Sequence, residues 1–130
     1  MYDIVVGIDT DEARARRQAD SIASLPGSED VHATLVHVFT DNPEGATVGQ
    51  VGAVRTARER LEDAGIEVTL VGDSGDPTER LLAIADQRNA DALCVAGRRR
   101  LPTGKVLFGS VTQAILLESS RPVLVAGTDD

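Results

Sequence analysis

The chain is poor in several residue types, and each shortage excludes something. It has no tryptophan, three other aromatic residues, one cysteine and one lysine. A single cysteine, Cys94, rules out an intramolecular disulfide and a thiolate zinc site. Its place in the apolar run Leu93-Cys94-Val95 reads as a small core residue, not a nucleophile. No stretch approaches the roughly 18 uninterrupted apolar residues of a membrane-spanning helix. Positive charge is also in deficit: 13 basic residues face 21 acidic ones, for a net charge of −8. That balance opposes association with nucleic acid or an anionic membrane. With Lys105 as the only lysine and so few aromatics, the surface reads as salt-adapted (halophilic), because molar salt screens the self-repulsion of an acidic domain.

Catalytic signatures are missing as well. There is no Gly-x-Ser-x-Gly elbow and no His-Glu-x-x-His helix. His32 and His37 are five apart in one strand-like run, so they point to opposite faces and cannot share a metal; each reads as packed or hydrogen-bonded. The expectation is a protein that is not an enzyme, with a slow phosphohydrolase as a remaining alternative.

What is present is enough for one core. The 130 residues, 42% of them hydrophobic, predict a single domain over 1–130. The N-terminus enters a strand-like run without a basic leader, so a cytoplasmic location is expected. Short, nearly continuous apolar runs at 2–8, 31–39, 66–71, 92–96 and 122–126 read as strands buried on both faces. Helical spacing separates them, with Ala15, Ala19, Ile22 and Ala23, then Val54, Ala57, Leu61 and Ala64, then Leu81, Leu82 and Ala85. Gly65 suits a left-handed helix end, and Asp76-Pro77-Thr78-Glu79 suits a helix start. Ser110-Val111-Thr112-Gln113 fits a capping box opening a fourth helix that runs to about Ser119. The segment 40–52, with Pro43, Gly45, Gly49 and Gly52, is the one flexible crossover.

Strands alternating with helices predict an α/β fold: a doubly wound, open, parallel five-stranded sheet with helices on both faces, Rossmann-like. Ligands in such sheets bind beyond the carboxyl ends of the strands, where strand order reverses. The stretch from Gly97 to Thr112 joins such a strand end to a helix. Its glycines permit close backbone approach, the helix start after Gly109-Ser110 favours anions, and Arg98, Arg99 and Arg100 add charge-assisted donors. An anion cradle follows. The same residues also fit turn glycines, a self-capping Ser110 and a solvated arginine loop that recruits a carboxylate-rich partner. Gly104-Lys105 is not a P-loop, because Arg99 and Val106 stand where Walker spacing needs Gly and Ser or Thr. The first strand is followed by no Gly-x-Gly-x-x-Gly, which argues against NAD.

The N-terminal Tyr2-Asp3-Ile4-Val5-Val6-Gly7-Ile8-Asp9, the strand ending Val36-His37-Val38, and Gly109-Ser110-Val111-Thr112 followed by Arg121-Pro122-Val123-Leu124-Val125 resemble the universal stress protein family over essentially the whole chain. The resemblance implies the adenine nucleotide alpha hydrolase-like version of the fold and a site for ATP, with or without Mg²⁺, or for AMP or ADP. The implied site residues are Gly7, Ile8, Asp9, Val38, Ala96, Gly97, Arg98, Arg100, Gly109, Ser110, Val111 and Thr112. In this scheme Asp9 lies at the adenine and ribose end, Val38 lines the base pocket and Gly97 faces ribose and phosphate. Gly109 to Thr112 hold phosphates through N–H and hydroxyl groups. Asp9 has a rival role, since Asp9, Thr10 or Asp11 can cap the first helix. The family's Gly-x-x-Gly, nine residues, Gly-Ser/Thr pattern is altered here: Arg100 replaces the second glycine, with eight residues before Gly109. That arginine either supplies a substitute contact or blocks the backbone's approach. The resemblance further implies a homodimer paired through the strand from Pro122 to Ala126, acting in stress response or signalling with unknown protein partners. Occupancy would order the loop 98–108. An ATP-independent dimeric interaction module of the same fold is the alternative.

Overall fold

A computed structural model describes residues 1–41 and 45–127, with side chains throughout except those of Arg99 and Arg100. Pro43, in the crossover, lies outside the described residues. The strands are β1 (Tyr2–Gly7), β2 (Val31–Phe39), β3 (Glu67–Ser74), β4 (Ala92–Arg100), β5 (Val106–Phe108) and β6 (Val123–Ala126). The helices are α1 (Glu12–Ala23), α2 (Gly52–Asp63), α3 (Pro77–Gln87) and α4 (Ser110–Glu118). Short 3₁₀ turns at Ser28–Asp30 and Val48–Gln50 lead into β2 and α2.

The parallel strands stand in the order β3-β2-β1-β4-β6. This is the five-stranded parallel sheet the apolar runs predict, with one addition. The segment read as a loop over 98–108 is an antiparallel hairpin: β4 continues past Ala96 to Arg100 and pairs with β5, with a register shift between Gly97 and Arg99. Its turn is closed by Gly104 N donating to Leu101 O at 2.8 Å, with Gly104 at φ +87°. The hairpin is formed by its own backbone bonds, so the reading of this segment as an irregular loop is corrected.

Two apolar layers sandwich the sheet. Ala15, Ala19 and Ile22 of α1 and Val54, Ala57 and Leu61 of α2 cover one face, against Ile4, Val6, Ala33, Leu35 and Cys94. Leu81, Ile84 and Ala85 of α3 and Ile115 of α4 cover the other, against Val5, Val36, Leu93 and Val95. Each fully buried Leu, Ile or Val side chain contributes about 1.5–3 kcal/mol. Punctuation residues act as their chemistry dictates. Asp76 accepts from Glu79 N to cap α3, Pro77 takes the first helical position, and Gly65 at φ +81° follows the end of α2. Cys94 is buried in the core. His32 is hydrogen-bonded through both ring nitrogens, Nδ1 with Asp3 Oδ1 at 2.9 Å and Nε2 with Thr69 Oγ1 at 2.8 Å.

Candidate functional site

The chain steps outward from β1 to β2 to β3, then crosses back so that β4 lies on the other side of β1. Strand order therefore reverses between β1 and β4, the place where open α/β sheets hold ligands. A cleft of about 500 Å³ opens there, at the carboxyl ends of β1, β2 and β4. The β1–β4 ladder stops at Val6 opposite Cys94, whereas β1 stays paired with β2 through Gly7 and Val36. The fully buried Gln18 of α1 occupies the split. Its Nε2 donates to Gly7 O at 2.8 Å, with a longer contact of 3.5 Å to Cys94 O. Gly7 itself is pressed on by α3: a Cβ there would lie 2.9 Å from Leu81 Cδ1.

Asp9 stands just beyond β1 with both carboxylate oxygens held. Oδ1 accepts from Asp11 N and Oδ2 from Arg14 Nε, each at 2.8 Å. The cap of α1 is Asp11, which accepts from Arg14 N at 2.9 Å, so Asp9 is not spent on that duty. That backbone hydrogen bond holds the Asp11 carboxyl below its ordinary value. From β2, Val38 lines the cleft together with His37 and Phe39, whose rings meet edge to face with centroids 4.7 Å apart.

The opposite rim is the start of α4. Here the capping box is corrected. Gly109, in extended conformation, is the N-cap, no side chain caps the helix, and Ser110 is its first residue. A Ser110 one position inside the helix cannot reach back as a cap, and its hydroxyl has no partner among the described residues. The first N–H groups of α4 have no intrahelical acceptor. Thr112 is different: its hydroxyl donates to Ala96 O at 3.0 Å, tying α4 to β4. The expectation that this hydroxyl holds a phosphate is thereby corrected, while its backbone N–H stays available. Arg98 lies over Gly109, with Nε only 2.7 Å from where a Cβ would stand. No carboxylate pairs with Arg98 among the described residues.

Of the twelve residues expected at the site, Gly7, Ile8, Asp9, Val38, Ala96, Arg98, Gly109, Ser110, Val111 and Thr112 line this cleft. Gly97 does not; it is buried in the hairpin ladder opposite Phe108. The side chain of Arg100 lies outside the described residues. Sequence reasoning missed Arg14, Gln18, His37 and Leu81, which also line the cleft. Gln18 had a signal: it stands between Ala15 and Ile22 on the inward face of α1, where a polar residue needs a buried partner. His37 had none, because its partner, Ile8 O, is brought to it by the fold.

Chemically the cleft is a slot with apolar walls, from Ile8, Val36, Val38, Leu81 and Val95, ending at an anion-favouring rim. It suits a flat apolar group carrying negative charge at one end. Among the described residues, no group of three His, Cys, Asp or Glu side chains could hold a metal ion. The hydroxyl that meets a histidine, on Thr69, is at the amino end of the sheet, away from the cleft.

The sequence profile of the Universal stress protein family matches residues 1–127. A universal stress protein of Mycolicibacterium smegmatis is 36% identical over 95 residues, covering 72% of this chain and 70% of the relative. A solved universal stress protein structure from Archaeoglobus fulgidus superposes with a TM-score of 0.76 at 26% identity, over 96% of this chain and 98% of its own. A universal stress protein solved in complex with cAMP gives 0.75 at 23% identity, over 98% of each chain.

Proposed function

Because this chain belongs to the universal stress protein family, we propose that its cleft binds an adenine nucleotide, ATP first with AMP and ADP as rivals for the same slot. The protein then acts as a non-enzymatic stress-response or signalling module, in a homodimer joined through its edge strand. The slot fits such a ligand in its own residues: apolar walls for a base, and the α4 N-terminus with the free Ser110 hydroxyl for phosphate. The observation that carries this reading is Arg98. A guanidinium without a carboxylate partner, resting at the positive end of a helix dipole, is electrostatically unfavourable until an anion joins it. Phosphates drawn between Arg98 and Ser110 would move that arginine off Gly109 and alter the surface at the base of the hairpin. Occupancy would reach partner proteins by that route. Where Mg²⁺ accompanies the nucleotide, it neutralises phosphate charge; Asp9, already held by Arg14, adds a carboxylate nearby.

Calorimetric titration with Mg-ATP tests this in molar KCl, the condition that a salt-adapted surface favours. Saturation near one nucleotide per chain is expected. Gly109→Val should weaken binding at least about tenfold, because its side chain fills the approach to the α4 N–H groups. Its backbone, at φ −74°, accepts any residue, so folding should survive.

A second reading rests on β6. Among the described residues this strand pairs with β4 alone, Val123, Leu124 and Val125 are only half-buried, and Leu117 on the preceding helix α4 is 86% exposed. An edge of that kind suits antiparallel pairing with a second copy, with or without nucleotide. Light scattering should give a dimer mass. A folded, nucleotide-free dimer that takes up no ATP would favour the ATP-independent interaction module. Slow ATP hydrolysis is the third reading, and it requires phosphate release above that of the Gly109→Val variant.

A further inference from the structure

The two histidines of β2 share a strand but not a situation. At the amino end of the sheet His32 has a partner on each ring nitrogen. At the carboxyl end His37 lines the cleft, is only 8% exposed, and has one partner: Nδ1 lies 2.8 Å from Ile8 O. A carbonyl oxygen only accepts, so the Nδ1 of His37 carries a proton. In the neutral ring Nε2 is therefore a bare acceptor. It has no hydrogen-bond partner among the described residues. Phe39, the ring packed against it, has no polar hydrogen to donate. The other buried polar side chains that line the cleft, Gln18 and Thr112, already donate, to Gly7 O and Ala96 O. Buried acceptors without donors are rare in native structures, and one facing a ligand cleft marks where a ligand donor belongs.

We propose that His37 Nε2 accepts a hydrogen bond from the nucleoside, and that this bond sets which nucleosides the cleft takes. The assignment rests on the reading of the cleft as a nucleotide site. The donor is a neutral N–H or O–H, which a nucleoside offers in two places, the exocyclic amine of a 6-aminopurine and the ribose hydroxyls. His37 is on this account a specificity-determining residue: the Nδ1 bond to Ile8 O fixes the tautomer, and with it the demand for a donor. A ligand lacking that donor would leave a buried acceptor unpaired, and sites built this way discriminate more sharply than apolar ones.

The test compares ATP with three analogues, the 6-deamino purine riboside triphosphate, 2′-deoxy-ATP and 3′-deoxy-ATP, on the wild-type chain and on His37→Asn. Asparagine keeps an amide donor near the position of Nδ1, so the bond to Ile8 O survives, and removes the acceptor at Nε2. The wild type should bind one analogue about tenfold less tightly than ATP, a difference of about 1.4 kcal/mol. Loss for the deamino analogue identifies the amine as the donor; loss for a deoxy analogue identifies the corresponding hydroxyl. In His37→Asn that discrimination should vanish, while the preference for ATP over AMP, set at the α4 rim, should persist. Discrimination that survives in His37→Asn, or a wild type that binds all four alike, overturns the assignment and leaves the nucleotide reading intact. A wild type that binds none of them overturns both. If the variant does not fold, ¹⁵N-imidazole spectra of the wild type decide. The Nε2 resonance of His37 should move on saturation with ATP while that of His32 stays, and an unmoved His37 resonance overturns the proposal.

Discussion

Burial decides the chemistry of individual residues here more than residue type does. Complete burial pushes the Cys94 thiol from an ordinary 9.0 up to about 12, against a smaller opposing hydrogen bond from Gln18. The folded state therefore favours the neutral thiol, and two outcomes follow. At pH 8 iodoacetamide should label the native protein far more slowly than the urea-unfolded chain, as read by mass spectrometry. Stability should hold this contribution below about pH 9 and lose it as pH rises toward 12, because the unfolded chain releases its proton first. Urea midpoints measured from pH 8 to pH 11 for the wild type and Cys94→Ala should diverge with the wild type falling faster. Cys94 was legible as a core residue from its apolar neighbours alone. His37 was not: two histidines five apart state only that they face opposite ways, and which nitrogen finds a partner depends on where β1 ends.

Among the elements, what the sequence conveyed depended on how many faces each one buries. β1, β2 and the first half of β4 are buried on both sides and read as continuous apolar runs. The second half of β4 is Gly97-Arg98-Arg99-Arg100, without an apolar side chain, and the strand continues where the hydrophobic signal stops. Its partner β5 is three residues long, too short for any periodicity. The hairpin depends on its turn, in which Gly104 at φ +87° takes a conformation that L-residues reach at a cost of about 1–2 kcal/mol. Gly104→Val should accordingly raise amide exchange at Val106, Leu107 and Phe108 and leave β1 unchanged, as measured by hydrogen–deuterium exchange. Equal protection in wild type and variant would show that other contacts hold the hairpin. The misplaced cap of α4 has the same origin: a Ser-x-x-Gln pattern is local, and β5 delivers the chain one residue earlier than the pattern implies.

For the molecule as a whole, charge is the outstanding property. The chain carries −8 while several of its arginines are placed beside carboxylates, as in Arg60 with Asp20 at 2.8 Å, Arg80 with Asp73 at 2.7 Å and Arg14 with Asp9. Such exposed pairs contribute at most about 1 kcal/mol each and weaken with salt. Self-repulsion of the net charge weakens with salt too, and over a domain of this size it is the larger effect. Thermal midpoints should therefore rise between 0.1 M and 2 M KCl; a steady fall would end the reading of the surface as salt-adapted. Composition conveyed this scale plainly, since net charge needs no fold to be counted.

The split between β1 and β4 carries a kinetic meaning. Its two strands part because the Gln18 amide takes the carbonyls that further pairing would have used, so folding the sheet and opening the crevice are a single event. The loop geometry above it is likewise finished when the hairpin closes. A visiting molecule meets a berth already shaped, and no slow rearrangement of the sheet stands between encounter and capture. Arrival is then governed by diffusion and by the field of an acidic body, and residence time by the few polar groups on the rim.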